Sequence, residues 1–304
     1  MAEVRRCASL ALVGLPNSGK STLLNTLVGE KLAAVSQIPQ TTRGRILGVV
    51  DRGPVQLAFL DTPGVHLARH ALNQRMLHQV DIALDEADLI LWVVDAAGFL
   101  GPGEQELARR LKGARQPVYL VLNKLDLVSK GTLLEKIAGY KDLLEFREIV
   151  PVSAKFGQNL EPLWGILERD APPGEWLHPE ETFTDQTERG MAAEFIREKV
   201  LRKTREEVPH GVAVEIRAWI EAGAEGYPED AAEGGVYLEA EIVVEKAGHR
   251  KILLGAGGEK IRDIRQSAQR ELKKLLQRPV RLALHVRVEE GWRDRPDQLD
   301  KFRL

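Results

Sequence analysis

Apolar runs alternate with amphipathic stretches along the first 168 residues of the chain. The runs are short and show little internal alternation, which is typical of strands buried on both faces of a parallel sheet. They lie at residues 7–13, 55–60, 88–94, 117–122 and 149–152. Stretches between them, such as 104–111, carry apolar residues at helical spacing. This pattern predicts an α/β domain whose mostly parallel sheet is covered by helices.

The pattern changes after residue 170, where prolines and acidic residues interrupt it. Farther along, 212–220 and 280–288 alternate apolar and polar side chains, as half-buried strands do. A strand at 236–244, a helix at 188–203 and a long helix ending near residue 276 complete this half. We therefore predict a first domain at 1–170, a linker at 171–184 and an α+β domain at 185–304.

Composition adds little to the predicted fold, but it bears on possible partners and on location in the cell. The 304 residues are 43% hydrophobic, enough for two cores, and the net charge of −2 gives no indication of a nucleic-acid partner. The single cysteine, Cys7, lies in a predicted buried strand, which argues against disulfides and suits a reducing cytosol. No apolar run reaches 18 residues, so no transmembrane helix is expected. Arg5 and Arg6 precede an apolar stretch as in a signal peptide, but a phosphate-binding motif follows directly, and we reject export.

The first motif with chemistry is G-x-x-x-x-G-K-S between a predicted strand and a predicted helix. In that setting backbone N–H groups and the helix N-terminus converge on phosphate oxygens. We expect Lys20 to reach the β- and γ-phosphates and Ser21 to bind Mg²⁺. The predicted nucleotide contacts in this loop are Gly14, Leu15, Pro16, Asn17, Ser18, Gly19, Lys20, Ser21 and Thr22.

A second motif, Asp61-Thr62-Pro63-Gly64, follows the predicted strand at 55–60. We expect Asp61 to hold Mg²⁺ through water and the Gly64 N–H to contact the γ-phosphate. The next residue is Val65, where many GTPases have a glutamine that orients the attacking water. Because valine offers no hydrogen bond, we predict slow intrinsic hydrolysis.

Two further motifs select the base. Asn123, Lys124, Leu125 and Asp126 follow the strand at 117–122. The Asp126 carboxylate suits the ring N–H and amine of guanine, whereas adenine would leave it unsatisfied, which disfavours an ATPase or kinase. Ser153, Ala154 and Lys155 follow the strand at 149–152, where a backbone N–H can contact guanine O6.

Between the first two motifs lies a polar loop, Gln37 to Arg43, that is placed to sense the γ-phosphate. A threonine here is expected to complete the Mg²⁺ shell. We favour Thr42, directly before Arg43 and the next strand, and Thr41 is the alternative. The predicted catalytic residues are Lys20, Thr42, Asp61 and Gly64, and the predicted Mg²⁺ ligands are Ser21, Thr42 and Asp61.

In the second half a G-x-x-G turn separates an apolar stretch from a basic helix, as in KH modules that clamp single-stranded nucleic acid. Residues 249–281 carry ten Lys/Arg against three acids, which is the local excess expected of phosphate binding. A solvated amphipathic helix, or a surface for anionic lipid, would show the same charge. The predicted RNA contacts are Lys251, Gly255, Ala256, Gly257, Gly258, Lys260, Arg262 and Arg265.

Taken together, these motifs resemble the Era family, in which a Ras-like GTPase domain precedes a KH domain. The resemblance covers nearly the whole chain. It rests on Pro16-Asn17, on the switch Gln40-Thr41-Thr42-Arg43, on the stretches Thr184 to Arg189, Ala193 to Lys199 and Thr204 to Pro209, and on the loop Gly255 to Gly258. It implies a type II KH fold for the second domain.

The resemblance also implies function. It implies a GTPase that binds the 3′ end of 16S rRNA in assembly of the small ribosomal subunit. It implies Mg²⁺, a K⁺ held by Asn17, and a cytoplasmic monomer with weak peripheral association at the inner membrane. One departure is Ala256-Gly257, since KH loops usually carry a Lys or Arg between the glycines. The competing hypothesis is a signalling GTPase whose basic second domain docks on a membrane or a protein effector.

Overall fold

The computed structural model describes residues 4–39, 41–65, 70–204, 208 and 211–302. Gln40 of the predicted switch, and Arg205, Glu206, Glu207 and Pro209 of the family stretch, lie outside these residues. The chain divides into two compact units. The first comprises Met1–Ala33, Thr42–Arg69 and Asn73–Asp185, and the second comprises Ala34–Thr41, His70–Leu72 and Gln186–Leu304.

The first unit is built on a six-stranded sheet in the order β2-β3-β1-β4-β5-β6. All neighbouring strands are parallel except β2, which runs antiparallel to β3 at the edge. The strands are β1 Arg6–Val13, β2 Ile46–Arg52, β3 Val55–Asp61, β4 Leu89–Asp95, β5 Val118–Asn123 and β6 Glu148–Pro151. The predicted apolar runs therefore are strands, and β3, β4 and β5 are buried along almost their whole length.

Five helices accompany this sheet: α1 Lys20–Val28, α2 Ala71–Glu86, α3 Pro102–Leu111, α4 Lys130–Lys141 and α5 Leu160–Asp170. Leu107 and Leu111 of α3 are fully buried with Trp92 of β4 in one core, which is the burial that the helical spacing predicts. The indole of Trp92 meets the ring of Tyr140 edge-on, with centroids 5.4 Å apart. The predicted α/β domain with a mostly parallel sheet is confirmed.

The predicted linker, residues 171–184, lies along the strands of the first unit. The Val49 N–H donates to the Phe183 carbonyl at 2.9 Å, and the Gln56 side chain donates to the His178 carbonyl at 3.0 Å. Trp176 Nε1 donates to the Pro54 carbonyl at 3.3 Å. The segment thus bonds to the backbone of β2, to the Gln56 side chain on β3 and to the turn between these strands. Its function as a linker, and the domain boundaries, stay predictions.

The second unit pairs a three-stranded sheet with helices. Its elements are α6 Glu188–Thr204, β7 Val212–Glu221, β8 Val236–Val244, α7 Ala247–Leu254, α8 Glu259–Leu276, β9 Val280–Val288 and α9 Pro296–Lys301. The strand order is β7-β8-β9, and β8 and β9 run parallel because the helix pair α7 and α8 connects them. This is the predicted type II KH fold. Helix α7 is an element that the sequence analysis described only as an apolar stretch.

Among the helices in the described part of the chain, none combines the length and the apolar character needed to cross a membrane.

One buried carboxyl group in the first unit leads to a stability prediction. Glu104 on α3 is 4% exposed, accepts a hydrogen bond from Trp92 Nε1 at 3.1 Å and is also bonded by Tyr140. Burial raises the pKa of Glu104 to about 7, from 4.5. The folded protein therefore keeps a proton that the unfolded chain releases between these values. Stability should fall by about 3 kcal/mol as the pH rises through this window.

We expect Glu104→Gln to remove this pH dependence, because the amide keeps an acceptor for Trp92 without ionising. Thermal unfolding of the variant and the native chain at pH 5 and pH 8 measures this. The variant should be more stable than the native chain at pH 8. Glu135→Gln, which removes an exposed carboxylate on α4, is the control. Equal pH dependence in the native chain and in Glu104→Gln would contradict the assignment.

Candidate active site and nucleic-acid interface

The loop between β1 and α1 surrounds one buried lysine. Lys20 is 6% exposed, and its Nζ donates to the carbonyls of Gly14 at 3.0 Å and Leu15 at 3.1 Å. Burial lowers the pKa of Lys20 to about 8, and Asp61 partly offsets that effect. At Gly19, whose φ is +96°, a Cβ would lie 2.1 Å from Asn123 Nδ2. Only glycine allows the loop to approach β5 this closely.

Asp61, the last residue of β3, is completely buried beside two hydroxyl groups. Its Oδ2 accepts a hydrogen bond from Ser21 Oγ at 2.6 Å, and Thr42 Oγ1 lies 2.7 Å from the same Ser21 Oγ. Because Ser21 has one proton and donates it to Asp61, Thr42 must be the donor of the second bond. Burial raises the pKa of Asp61 to about 6, although Lys20 and these hydrogen bonds lower it.

This group of oxygen atoms fits Mg²⁺. Asp61 Oδ1 is buried without a hydrogen-bond partner within the described residues, so one carboxylate oxygen remains to be satisfied. Mg²⁺ binds proteins through one or two carboxylates, hydroxyl groups and substrate phosphates, which is the donor set of Asp61, Ser21 and Thr42. The three predicted ligands come from β3, α1 and the segment before β2, and the structure brings them together.

The alternative threonine is engaged elsewhere. Thr41 Oγ1 donates to the Ile38 carbonyl at 2.7 Å and lies 2.7 Å from Ser36 Oγ. These are contacts within its own loop, whereas Thr42 faces Ser21. The geometry therefore favours Thr42, as the sequence analysis did, and its part in sensing phosphate stays a prediction.

The segment after β3 closes against the phosphate loop. Thr62 Oγ1 donates to the Leu12 carbonyl at 2.7 Å, and the Val65 N–H donates to the Gly14 carbonyl at 3.2 Å. Gly64 lies against the Pro16 ring. Val65 is 6% exposed and packs into the core of the first unit. Neither Gly64 nor Val65 offers a side chain that can orient water.

Asn123 at the end of β5 connects three of the motifs through hydrogen bonds. Its Nδ2 donates to the Ser18 carbonyl at 2.9 Å, and its Oδ1 accepts from the Ala154 N–H at 3.0 Å. The Ser153 hydroxyl in turn donates to the Asp126 carboxylate. Six of the remaining predicted contacts lie in these same loops and turns, and Thr22 lies in the first turn of α1; the six are Leu15, Pro16, Asn17, Pro63, Leu125 and Lys155.

Asp95 belongs to this site but was missed by the sequence analysis. It ends β4, and its Oδ2 forms an ion pair with Lys124 Nζ at 2.7 Å. Lys124 has a φ of +64°, so the ion pair helps to hold a residue in an unusual backbone conformation. An acidic residue at the carboxyl end of a buried strand was the available signal, because such strand ends meet at the ligand edge of the sheet.

In the second unit the turn between α7 and α8 is formed by glycines. Gly255, Gly257 and Gly258 have φ values of +69°, +57° and +79°. A Cβ on Gly255 would lie 2.8 Å from the Lys260 Cβ, so the turn can follow directly on α7 only with glycine there. Ala256 and Gly257 are exposed, so backbone is accessible at the start of α8.

Several cations of α7 and α8 have no ion-pair partner among the described residues. Lys251, Lys260, Arg262 and Arg265 form no ion pair with any carboxylate in the described stretches of the chain. After the end of α8, Arg278 pairs with Glu221, and Arg281 pairs with Asp230. Lys273 and Lys274 in the last turn of α8 form no ion pair in the described part of the chain. The part of Lys251, Lys260, Arg262 and Arg265 in RNA binding stays a prediction.

Comparison with known proteins identifies both units. Residues 9–124 match the family model described as 50S ribosome-binding GTPase, and residues 207–293 match the KH domain. The chain is 42% identical to the GTPase Era of Heliobacterium modesticaldum over 99% of this chain and 97% of that protein. It is 44% identical to the GTPase Era of Geobacter metallireducens, over 94% of each.

Two solved structures match over 98% of both chains. One is a single-residue variant of Aquifex aeolicus Era bound to GDP and AlF₄⁻, with a TM-score of 0.91 and 37% identity. The other is Era in complex with MgGDPNP and nucleotides 1506–1542 of 16S ribosomal RNA, with a TM-score of 0.90 and 36% identity. These matches extend over both units of the chain.

The base-selecting carboxylate gives a direct prediction. Replacing Asp126 by asparagine should weaken GDP binding about 100-fold, because the amide loses two charge-assisted hydrogen bonds and turns a donor toward guanine donors. Xanthosine diphosphate, which has a carbonyl where guanine has the amine, should bind the variant better than GDP does. Calorimetric titration with both nucleotides measures this.

The matched control for this experiment is Asp142→Asn, since Asp142 is an exposed carboxylate after α4. Its affinity for both nucleotides should equal that of the native chain. If Asp126→Asn also keeps its preference for GDP over xanthosine diphosphate, Asp126 does not read the base.

Proposed function

The chain belongs to the Era family of GTPases, and we propose that it is a GTP-controlled switch that binds the 3′ end of 16S rRNA during assembly of the small ribosomal subunit. The observation that carries this proposal is the likeness, over 98% of the chain, to an Era structure that contains MgGDPNP and nucleotides 1506–1542 of 16S rRNA. The four cations around the glycine turn supply the electrostatic attraction that such a ligand requires.

For hydrolysis, we propose that the first unit positions GTP and an attacking water rather than forming a covalent intermediate. Lys20 pairs with the β- and γ-phosphate oxygens, and the Gly64 N–H donates to the γ-phosphate. Ser21, Thr42 and Asp61 hold Mg²⁺, which when bound neutralises charge on the transferred phosphoryl group. Asp126 accepts the two guanine hydrogen bonds and fixes the base.

Intrinsic turnover is slow in this proposal. Val65 is buried and carries no hydrogen-bonding atom in its side chain, so the attacking water is oriented by backbone groups alone. A switch with slow turnover keeps its triphosphate state long enough for an assembly step. The nucleotide then acts as a timer, with RNA bound in one state and released in the other.

The RNA interface of the proposal is the glycine turn with its flanking cations. Backbone at Gly255 to Gly258 approaches the phosphates closely, while Lys251, Lys260, Arg262 and Arg265 supply the charge that Ala256-Gly257 lacks. We propose that the chain acts as a monomer in the cytoplasm. Its peripheral association with the inner membrane is weak because these cations engage RNA first.

RNA binding is tested with a labelled oligonucleotide of the 16S 3′ end, in the presence of GTP analogue or GDP, over a salt series. We expect tighter binding with the GTP analogue. Lys260→Ala and Arg262→Ala should each weaken it about tenfold and reduce the salt slope by about 0.7. Arg115→Ala, an exposed arginine of the first unit, is the control.

A scrambled oligonucleotide and anionic lipid vesicles complete this experiment. Preference for the 16S sequence over the scrambled one supports the proposal. Equal RNA affinity with GTP analogue and GDP would refute the timer. Binding to vesicles without binding to RNA would favour the docking GTPase instead.

A monovalent cation is the last element of the proposal. Asn17 is exposed at the phosphate loop with a φ of +63°, and its amide oxygen is a ligand type that suits K⁺. We expect faster GTP turnover in KCl than in NaCl of equal concentration. Asn17→Ala should remove the difference between the two salts. Equal turnover of the native chain in both salts argues against a K⁺ site.

A further inference from the structure

The loop before Thr42 belongs to the RNA-binding unit. Residues Ala34–Thr41 are part of the second compact unit, while the first unit resumes at Thr42. The peptide bond between Thr41 and Thr42 therefore connects the two units. Thr42 lies at the proposed Mg²⁺ site through its contact with Ser21, and Thr41 is the last residue of a segment that belongs to the second unit.

Side chains of α6 hold that segment by its backbone. The Val35 N–H donates to Glu198 Oε2 at 3.2 Å. Arg202 donates to the Val35 carbonyl through Nε at 3.0 Å and Nη2 at 2.7 Å. Arg197 Nη2 donates to the Thr41 carbonyl, one peptide bond from Thr42. Both ends of the segment are thus attached to one face of α6, which we call the α6 clasp (Arg197, Glu198 and Arg202).

Two of the three charges of the α6 clasp are buried, and burial of charge is costly unless each charge is paired. Arg197 is 1% exposed and Glu198 is fully buried. Glu194 neutralises Arg197, while Lys199 at 3.0 Å and Arg202 at 3.1 Å neutralise Glu198. Such a cluster contributes little net stability compared with apolar packing. What it provides is a defined position for the loop backbone.

The α6 clasp also connects to the glycine turn. Lys199 forms a second ion pair with Glu271 of α8 at 3.2 Å, and Lys203 pairs with Asp263 of α8 at 2.6 Å. Helix α8 begins directly after the turn at Gly258. A continuous chain of hydrogen bonds and ion pairs therefore runs from Val35 through Glu198 and Lys199 to Glu271 of α8. The Thr41 carbonyl is held separately, by Arg197 of the same helix α6.

From these contacts we propose that Arg197 and Arg202 are positioning residues that couple the nucleotide state at Thr42 to the RNA-binding unit. The inference rests on the proposed function, because it explains how GTP controls RNA affinity. The clasp is closed in a structure in which Thr42 faces Ser21. It therefore stabilises the arrangement of Thr42 that the triphosphate requires, and opening it should disfavour the GTP state selectively.

The test begins without RNA. Arg202 is half-exposed, so Arg202→Ala should fold normally, and Arg197→Lys keeps the charge beside Glu194 but not the planar fork. Both variants should bind GTP analogue about fivefold more weakly and bind GDP as the native chain does. Arg202→Lys, which keeps one donor, should restore part of the loss. Arg189→Ala, an exposed arginine on the same helix, should behave as the native chain.

Hydrogen exchange shows whether a change of nucleotide at the first unit also alters α6 of the second unit. In the native chain, replacing GDP by GTP analogue should slow exchange at residues 34–45 and along α6. In Arg197→Lys and Arg202→Ala the slowing should persist in the first unit and disappear from α6. A purely structural role would instead raise exchange equally in both nucleotide states.

Two outcomes overturn the coupling: no nucleotide effect on α6 in the native chain, or an unchanged effect in both variants. RNA affinity is measured afterwards with the 16S oligonucleotide. If α6 responds to nucleotide through the clasp but RNA does not bind in either state, the clasp stands and the proposed RNA function fails. If RNA binds and the variants keep the full preference for GTP analogue, the function stands and the clasp fails.

Discussion

The buried carboxylate of Asp61 is the constraint on which the nucleotide site depends. It lies completely out of solvent at the end of β3 with one oxygen unpaired in the described part of the chain, and burial raises its pKa to about 6. A charge in that position is stable only with cations and hydroxyl groups around it. Lys20, Ser21 and Thr42 supply them, and so one side chain draws the phosphate loop and the switch segment to the same point.

Backbone recognition recurs at each step from phosphate to RNA. The phosphate loop and the glycine turn before α8 both use glycine so that main-chain groups can approach a phosphate. The α6 clasp likewise holds main-chain atoms of Val35 and Thr41. A contact to backbone depends on the path of the chain and hardly on its side chains. When a segment changes its backbone path with the bound nucleotide, all of its backbone contacts therefore change at the same time.

The second unit separates charge instead of accumulating it. The chain as a whole is nearly neutral, yet cations without carboxylate partners in the described stretches surround the glycine turn. Arg278 and Arg281, farther along, are occupied by Glu221 and Asp230. Lys273 and Lys274 in the last turn of α8 also lack carboxylate partners in these stretches, so unpaired positive charge extends along the helix.

The sequence alone indicated the strands of the first unit, both fold classes and the positions of the motifs, because burial periodicity and glycine-rich turns are local properties of a chain. Helix α7 was visible in it only as an apolar stretch. The sequence also favoured Thr42 over Thr41, from position alone. Only the tertiary structure decided partners: Asp95 with Lys124, Asn123 with Ser18, and Arg197 with the Thr41 carbonyl. These groups are 29 to 156 residues apart. Periodicity reports that a side chain is buried, whereas its partner depends on which strand ends and helix faces meet once the chain has folded.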